Sequence, residues 1–444
     1  MSSKDLFGEE IVEPAPRSGA GGSSARDASG APRLRTADRR QIELRPFDLE
    51  SLLPPEHRAR TVWSAVERLD LSGFHAAIRA RGSEPGRSAT DPAILVCLWL
   101  FATSEAVGSA RELERLCKEH DAYRWICGGV SMNHHTLSDF RVGHGKALDD
   151  LMTQVLAVLL RKKLVRLERT AQDGMRIRAS AGAASFRREP SLKACLAEAE
   201  AQVRRLKAEV ASPIPGTRTR QQAAAERAAR ERKERIEEAL AELPKARAVK
   251  DKKDQEKARV STTDAEARVM KMGDGGFRPA YNVQLATDVD SRVVVGVKVT
   301  NAGGDAAQMT PMLDDIERRT STRPVEHLVD GGFVNLEAFT RAADGGTTVF
   351  APVPTPRTEG IDPHAPKPND SEAVAAWRQR MATPEAKEVY KERAATAETV
   401  NADLRVHRGL DRLNVRGIDK VLSVTLWAAL SYNILRAVGL AAWS

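Results

Sequence analysis

The chain has 444 residues, enough for two or three domains of roughly 100–200 residues each. Its 69 Lys and Arg against 61 Asp and Glu leave a formal charge of +8, which permits a polyanionic partner without requiring one. The four cysteines (Cys97, Cys117, Cys127, Cys195) show no zinc spacing, and neither a signal peptide nor an unbroken apolar stretch long enough for a bilayer is recognisable, so a soluble, cytoplasmic protein with free thiols and no membrane contact is expected.

Residues 1–45 are rich in Ser, Gly, Ala, Pro and Arg without periodicity, the composition of a disordered tail. From residue 46 to 163 the pattern is helical. Asp91-Pro92 offers an N-cap and a first-turn proline for an apolar helix from Ala93 to Ala102. Ser109-Ala110-Arg111-Glu112 is a capping box, and Thr136-Leu137-Ser138-Asp139 resembles one ahead of Phe140, Arg141, His144 and Lys146. Short helices, tight turns and basic residues such as Arg141 suit a helix-turn-helix-like DNA-binding unit, and an ordinary helical domain fits the same pattern equally well. His134-His135 is expected to make a polar or phosphate contact rather than to bind metal.

The segment Leu164–Gly174 reads as a strand closing on Asp173-Gly174, followed by a basic loop from Arg176 and Arg178 to Arg188. An insertion over 190–257 then carries a heptad seam (Leu192, Leu196, Ala199, Val203, Leu206, Val210), a Pro213-Ile214-Pro215-Gly216 turn and a second seam ending at Pro244. This predicts an antiparallel helical hairpin, a coiled coil whose basic faces suit solvent and a DNA backbone equally. Strands return at Tyr281–Asp288 and Arg292–Val299, joined by a turn at Asp290-Ser291. An amphipathic helix, Ala306–Arg318, leads to a strand at Val325–Val329 that ends on Asp330-Gly331-Gly332. A helix at Leu336–Ala343, a strand at Thr347–Pro352, a loop over 353–370 and two long helices, Pro384–Arg408 and Gly417–Ala441, complete the chain. The expected fold is α+β: a helical N-terminal domain over 46–163, then over 164–444 a mixed sheet flanked by helices in the order of an RNase H-like core. Acids at strand carboxyl ends are placed for chemistry.

Three sequence blocks carry a family resemblance. The first runs from Gly86-Arg87-Ser88-Ala89-Thr90-Asp91-Pro92 through Leu113–Cys117 and Tyr123–Gly129 to His134–Arg141. The second comprises Gln172-Asp173-Gly174, Ser261–Arg268, Tyr281-Asn282-Val283-Gln284 and Asp330-Gly331-Gly332-Phe333. The third extends from Tyr390-Lys391-Glu392-Arg393 through Glu398 to Arg405. Together they resemble bacterial insertion-sequence transposases of the DDE class, related to the insertion-sequence-four group, with the third block similar to that group's Tyr-Arg-Glu-Lys signature. Two departures stand out. Four residues rather than three separate Arg393 from Glu398, and Arg405 replaces a lysine.

By this resemblance Asp173, Asp330 and Glu398 are the three catalytic, metal-holding acids. Glu392 is the alternative third acid; Glu398 is favoured because it precedes Arg405 by seven residues, nearly the same helical face. The implied cofactor is Mg²⁺, with Mn²⁺ able to substitute, since hard cations take carboxylate oxygens and two of them can clamp an in-line phosphodiester displacement. The implied partner is DNA, both the terminal inverted repeats of the element and the target, bound by a homodimer or higher oligomer at the nucleoid. Tyr390, Lys391, Arg393 and Arg405 would contact DNA beside the acids, with Arg141, Arg176 and Arg178 as further candidates. Asn282 and Gln284 would support the site. A nuclease or resolvase without strand transfer and a non-catalytic DNA-binding regulator are the competing readings.

Overall fold

The computed structural model describes residues 48–81, 88–211, 220–356 and 358–440; the N-terminal tail, Gly86-Arg87 and the Pro213–Gly216 turn lie outside them. The helical part comprises α1 (Arg58–Val66), α2 (Ser72–Ala76), α3 (Pro92–Ser104), α4 (Ala110–Glu119), α5 (Asp121–Cys127), α6 (His134–Gly143) and α7 (Gly145–Arg161). Asp91 caps α3 by accepting from the Ala93 amide at 2.8 Å, and Ser109 caps α4 through Glu112. Helix α6 starts two residues before the expected box, because Asn133 takes the Thr136 amide at 2.9 Å and frees Thr136 to join the first turn. His134 makes the expected polar contact, to Glu114 at 2.7 Å.

The remainder is β1 (Arg169–Arg178), β2 (Phe186–Arg187), α8 (Glu189–Ala211), α9 (Arg220–Ala248), β3 (Val260–Ser261), β4 (Arg268–Lys271), β5 (Phe277–Asp288), β6 (Val294–Thr300), α10 (Met309–Thr320), β7 (Glu326–Leu328), α11 (Leu336–Asp344), β8 (Thr348–Phe350), α12 (Glu372–Ala382), α13 (Pro384–Arg393), α14 (Thr399–His407) and α15 (Ile418–Gly439). The main sheet runs β4-β5-β1-β7-β8, with β6 also on β5. β6, β5 and β1 form an antiparallel meander, and β7 and β8 continue it parallel to β1. It is a mixed sheet, as expected.

Two expectations need correction here. Asp173 does not end its strand: β1 continues to Arg178 because the long antiparallel partner β5 keeps pairing to Arg178↔Ala280. The basic stretch from Arg176 therefore begins inside the sheet. Helix α9 likewise runs past Pro244, its last turn held by Leu243 and Ala246 in an apolar cluster with Leu192 and Val260. Helix α12 was not foreseen; Ser371 caps it and Trp377 buries its ring while donating to the Ala351 carbonyl at 3.0 Å.

One apolar core runs from Leu53 to Ala437, so the N-terminal helices and the sheet share a single interior. Helix α15 lies at its centre. By length and composition α15 is the one helix among the described residues able to cross a membrane, yet 72% of its apolar window is buried inside the protein. Trp427 donates to the Arg141 carbonyl at 2.9 Å and Ser431 to the Leu100 carbonyl at 3.0 Å. The Asn433 amide pairs with both backbone groups of Val294, at 2.9 and 2.8 Å, as a neighbouring strand would.

A buried ion network ties α7 to α10: Arg319 pairs with Asp315 at 2.9 Å and with Asp149, and Arg318 reaches both acids. Asp149→Ala should destabilise the protein by about 2–4 kcal/mol in denaturant unfolding, because it strips a carboxylate from a buried guanidinium.

His327, fully buried, is pushed down to about 3 by burial and is held neutral between the Thr170 hydroxyl (2.7 Å) and the Gln172 side chain (3.1 Å). Its folded value lies below its unfolded one, so its contribution is complete above the ordinary histidine range and is lost as pH falls. Between pH 6 and 4, stability should drop up to about 1.4 kcal/mol per unit more steeply in the wild type than in His327→Gln, measured by denaturant titration at each pH.

Candidate active site

β1 and β7 are adjacent parallel strands paired at Ala171↔Leu328. Asp173 and Asp330 each follow that pair by two residues, so pleating puts both on the same face, about one strand spacing (~4.8 Å) apart in backbone. Asp330 sits just past the end of β7, where its carboxylate accepts from the Gly332 amide at 2.8 Å and caps the Gly331–Phe333 turn. Asp173 accepts from the Gly174 amide at 2.9 Å and from the Asn401 side chain at 3.2 Å. Burial pushes the Asp173 carboxyl upward, Arg393 opposes that, and the Asp330 and Asp305 carboxylates push it further up.

Helices α13 and α14 are joined by a π-helical turn, Ala394–Glu398. This turn accounts for the extra residue between Arg393 and Glu398. At roughly 100° per residue, five steps of α-helix would put the two side chains about 140° apart; the wider i→i+5 turn brings them back to one face. There Arg393 reaches Glu398 at 3.3 Å and Asp173 at 3.9 Å. One guanidinium thus stands between the second-block and third-block acids, and its Nη1, although buried, has no hydrogen-bond partner. Glu392, the alternative acid, is engaged elsewhere: Arg169 holds it at 2.7 Å together with Glu326 at 2.6 Å.

A fourth carboxylate joins the site. Asp305 accepts from Asn282 and Gln284, both at 2.7 Å, and from Arg176 at 3.3 Å. Gly174 gives it room, since a β-carbon there would stand 2.5 Å from Asp305 and 2.4 Å from Gln284. Gln284 continues through Gln172 to His327, a polar chain across three strands. Asp305 was missed in the sequence. Its only signal is that it follows Gly303-Gly304 after β6, the mirror of the acid-then-glycine pattern at Asp330.

The other candidates separate by environment. Tyr390 is half-buried beside Arg393, and burial pushes its phenol above the usual range. Lys391 and Arg405 are exposed on the same helical run. Arg178 closes β1 at the surface, while Arg176 is committed to Asp305 and the Gly303 carbonyl. Arg141 turns inward, stacked 4.7 Å over Trp99 and donating to the Gly108 carbonyl at 2.5 Å, so it serves the fold. Among the described residues no three His, Cys, Asp or Glu side chains stand close enough to hold a metal ion. Asp173 and Asp330 converge; Glu398 is held off by Arg393.

A family model described as a Transposase domain (DUF772) matches residues 47–143, and one described as a Transposase DDE domain matches residues 364–438. The chain is a DDE transposase of the insertion-sequence kind. No curated protein and no solved structure matches it. The second match spans α12 to α15, so the domain that defines the transposase contains both the π turn and the helix at the centre of the core.

Deleting Ala395 should restore a continuous α-helix with Arg393 and Glu398 still on one face, and leave divalent-metal-dependent DNA nicking within about tenfold of wild type. Inserting an alanine after Ala395 should rotate Glu398 away and lower nicking about 100-fold at an unchanged unfolding midpoint, both measured on supercoiled plasmid.

Proposed function

We propose that the transposase hydrolyses DNA at the ends of its own element and joins the freed 3′ hydroxyl to target DNA, with Asp173, Asp330 and Glu398 as the acting carboxylates. The observation that carries this reading is the pair of acids side by side on parallel central strands, faced by a helix bearing a third. The strand order, an antiparallel meander extended by two strands parallel to its first member, supports an RNase H-like core. The Tyr390–Arg405 spacing supports kinship with the insertion-sequence-four group once the π turn is counted.

The donor set suits a hard divalent cation in being oxygen ligands only; burial pushes Asp173 upward against the opposing Arg393, and the Asp330 and Asp305 carboxylates add to the rise. Asp173, Asp330 and Glu398 would hold Mg²⁺ or Mn²⁺, which when bound neutralises phosphate charge and supplies a potent hydroxide nucleophile. For Glu398 to take part it must leave Arg393. The guanidinium is then free for a DNA phosphate, whose geometry its planar fork matches. Lys391 and Arg405 extend that positive edge. Tyr390, packed against the apolar cluster of Phe333, Phe339 and Trp377, fixes the helix that carries them. The DNA bound is the element's inverted repeats and the target. We assign the working form as a dimer in the cytoplasm, acting on nucleoid DNA.

Asp330→Asn should lower Mg²⁺-dependent cleavage of element-end DNA by roughly 1,000-fold, the several kcal/mol that metal charge stabilisation supplies, while DNA affinity stays within about threefold. Retained cleavage would remove Asp330 from the chemistry. Cleavage by the wild type without joined products on a strand-resolving gel would make the protein a nuclease instead.

A further inference from the structure

The helical hairpin of α8 and α9 is dense in arginine and lysine, but most of that charge is balanced along the hairpin itself. Arg230 pairs with Glu226, Lys233 with Glu237 at 2.6 Å, Lys193 with Glu189 at 2.7 Å and Arg204 with Glu200 at 3.8 Å. The outer faces are therefore close to neutral. The exception is a groove beside the hairpin. Where α9 crosses the β2–β3 pair and the segment before α15, a cavity of about 420 Å³ is lined by Arg187, Arg232, Arg235 and Arg416, with Thr262 and Thr263 beside them and no acid in its lining among the described residues.

Three separate elements deliver these guanidinium groups: β2, α9 and the loop ahead of α15. Arg187 and Arg416 make no ion pair among the described residues, and Arg232 and Arg235 have only loose ones, to Glu198 at 3.6 Å and Glu231 at 3.9 Å. A second cavity shares Arg235, Thr263 and Arg416 but is lined by Glu238, Glu242, Asp264 and Glu266 as well, so the acid-free groove is confined to the first. Four cations converging with only two loose ion pairs among them repel one another, a cost that an anion seated among them would relieve. The planar donor fork of arginine selects phosphate or carboxylate oxygens, and the hairpin's length along the groove suits a repeating ligand.

We propose that this groove between the hairpin and the core is a second DNA contact, binding the sugar-phosphate backbone without reading sequence, at residues distinct from the carboxylate site. It rests on the transposase reading only for the identity of the polyanion. Arg187, Arg232, Arg235 and Arg416 mark its extent, and the acids of the neighbouring cavity bound it on one side.

The test measures binding of a mixed-sequence duplex by fluorescence anisotropy across a KCl series, with EDTA present so that no cleavage occurs. For Arg187→Gln/Arg416→Gln, affinity should fall at least about tenfold and the slope of log K against log[KCl] should shrink by about 2, one phosphate contact per arginine. Arg230→Gln, which removes a cation already balanced on its own helix, should change neither. An unchanged slope in the double variant, with wild-type circular dichroism and unfolding midpoint, overturns the proposal. So does an equal loss from Arg230→Gln, which would mean a diffuse basic surface. Failure of the wild type to cleave in Mg²⁺ would bear on the carboxylates alone, because the binding measurement holds no metal.

Discussion

The fold depends on burying α15 between the N-terminal helices and the sheet. No polar stripe marks this helix, because almost every face meets protein: α7 and α3 on one side, β6 on the other. Within that apolar packing Asn433 satisfies both the amide and the carbonyl of Val294, groups that would otherwise be stranded under the helix. Asp315 accepts from the Val297 amide while the same carboxylate oxygen pairs with Arg319. The edge strand is thereby closed by side chains rather than by another strand, and the sheet behind it can present its central strands to α13 and α14.

That support lets opposite charges be concentrated at one place. Asp173, Asp330 and Asp305 crowd the ends and middle of adjacent strands, and a single guanidinium, Arg393, offsets them from the helical side. As it stands, one internal cation bridges Asp173 and Glu398. In the proposed function, a cation held by these carboxylates would displace that guanidinium from them, freeing its planar fork for a DNA phosphate.

Much of this was legible in the chain, for identifiable reasons. Asp330 stood out because a short apolar run, an acid and two glycines are contiguous, and a buried parallel strand needs no more than that. The hairpin showed in its heptad spacing, with Leu192, Ala199 and Ile236 buried as that seam requires. Asp173 was found but placed at a strand end, since the strand's true length is set by β5, over a hundred residues away. The π turn is invisible to a pattern built on 3.6 residues, although it is what reconciles the Arg393–Glu398 spacing with the signature. Asp305 lies in a small-residue loop where nothing local distinguishes a ligand from a turn former. Arg141 has the look of a surface cation at a helix end, and only the position of Trp99 shows that it points inward.

Because α15 follows in sequence every element it covers, its place also bears on how the molecule is made. Until residues 418–439 have left the ribosome, β6 has a bare edge and α3 and α7 have an uncovered apolar face. A nascent chain can assemble its hairpin and its early helices, but it cannot complete the sheet that seats Asp173. A chain that stops short of α15 keeps an uncovered apolar face on α3, α7 and β6.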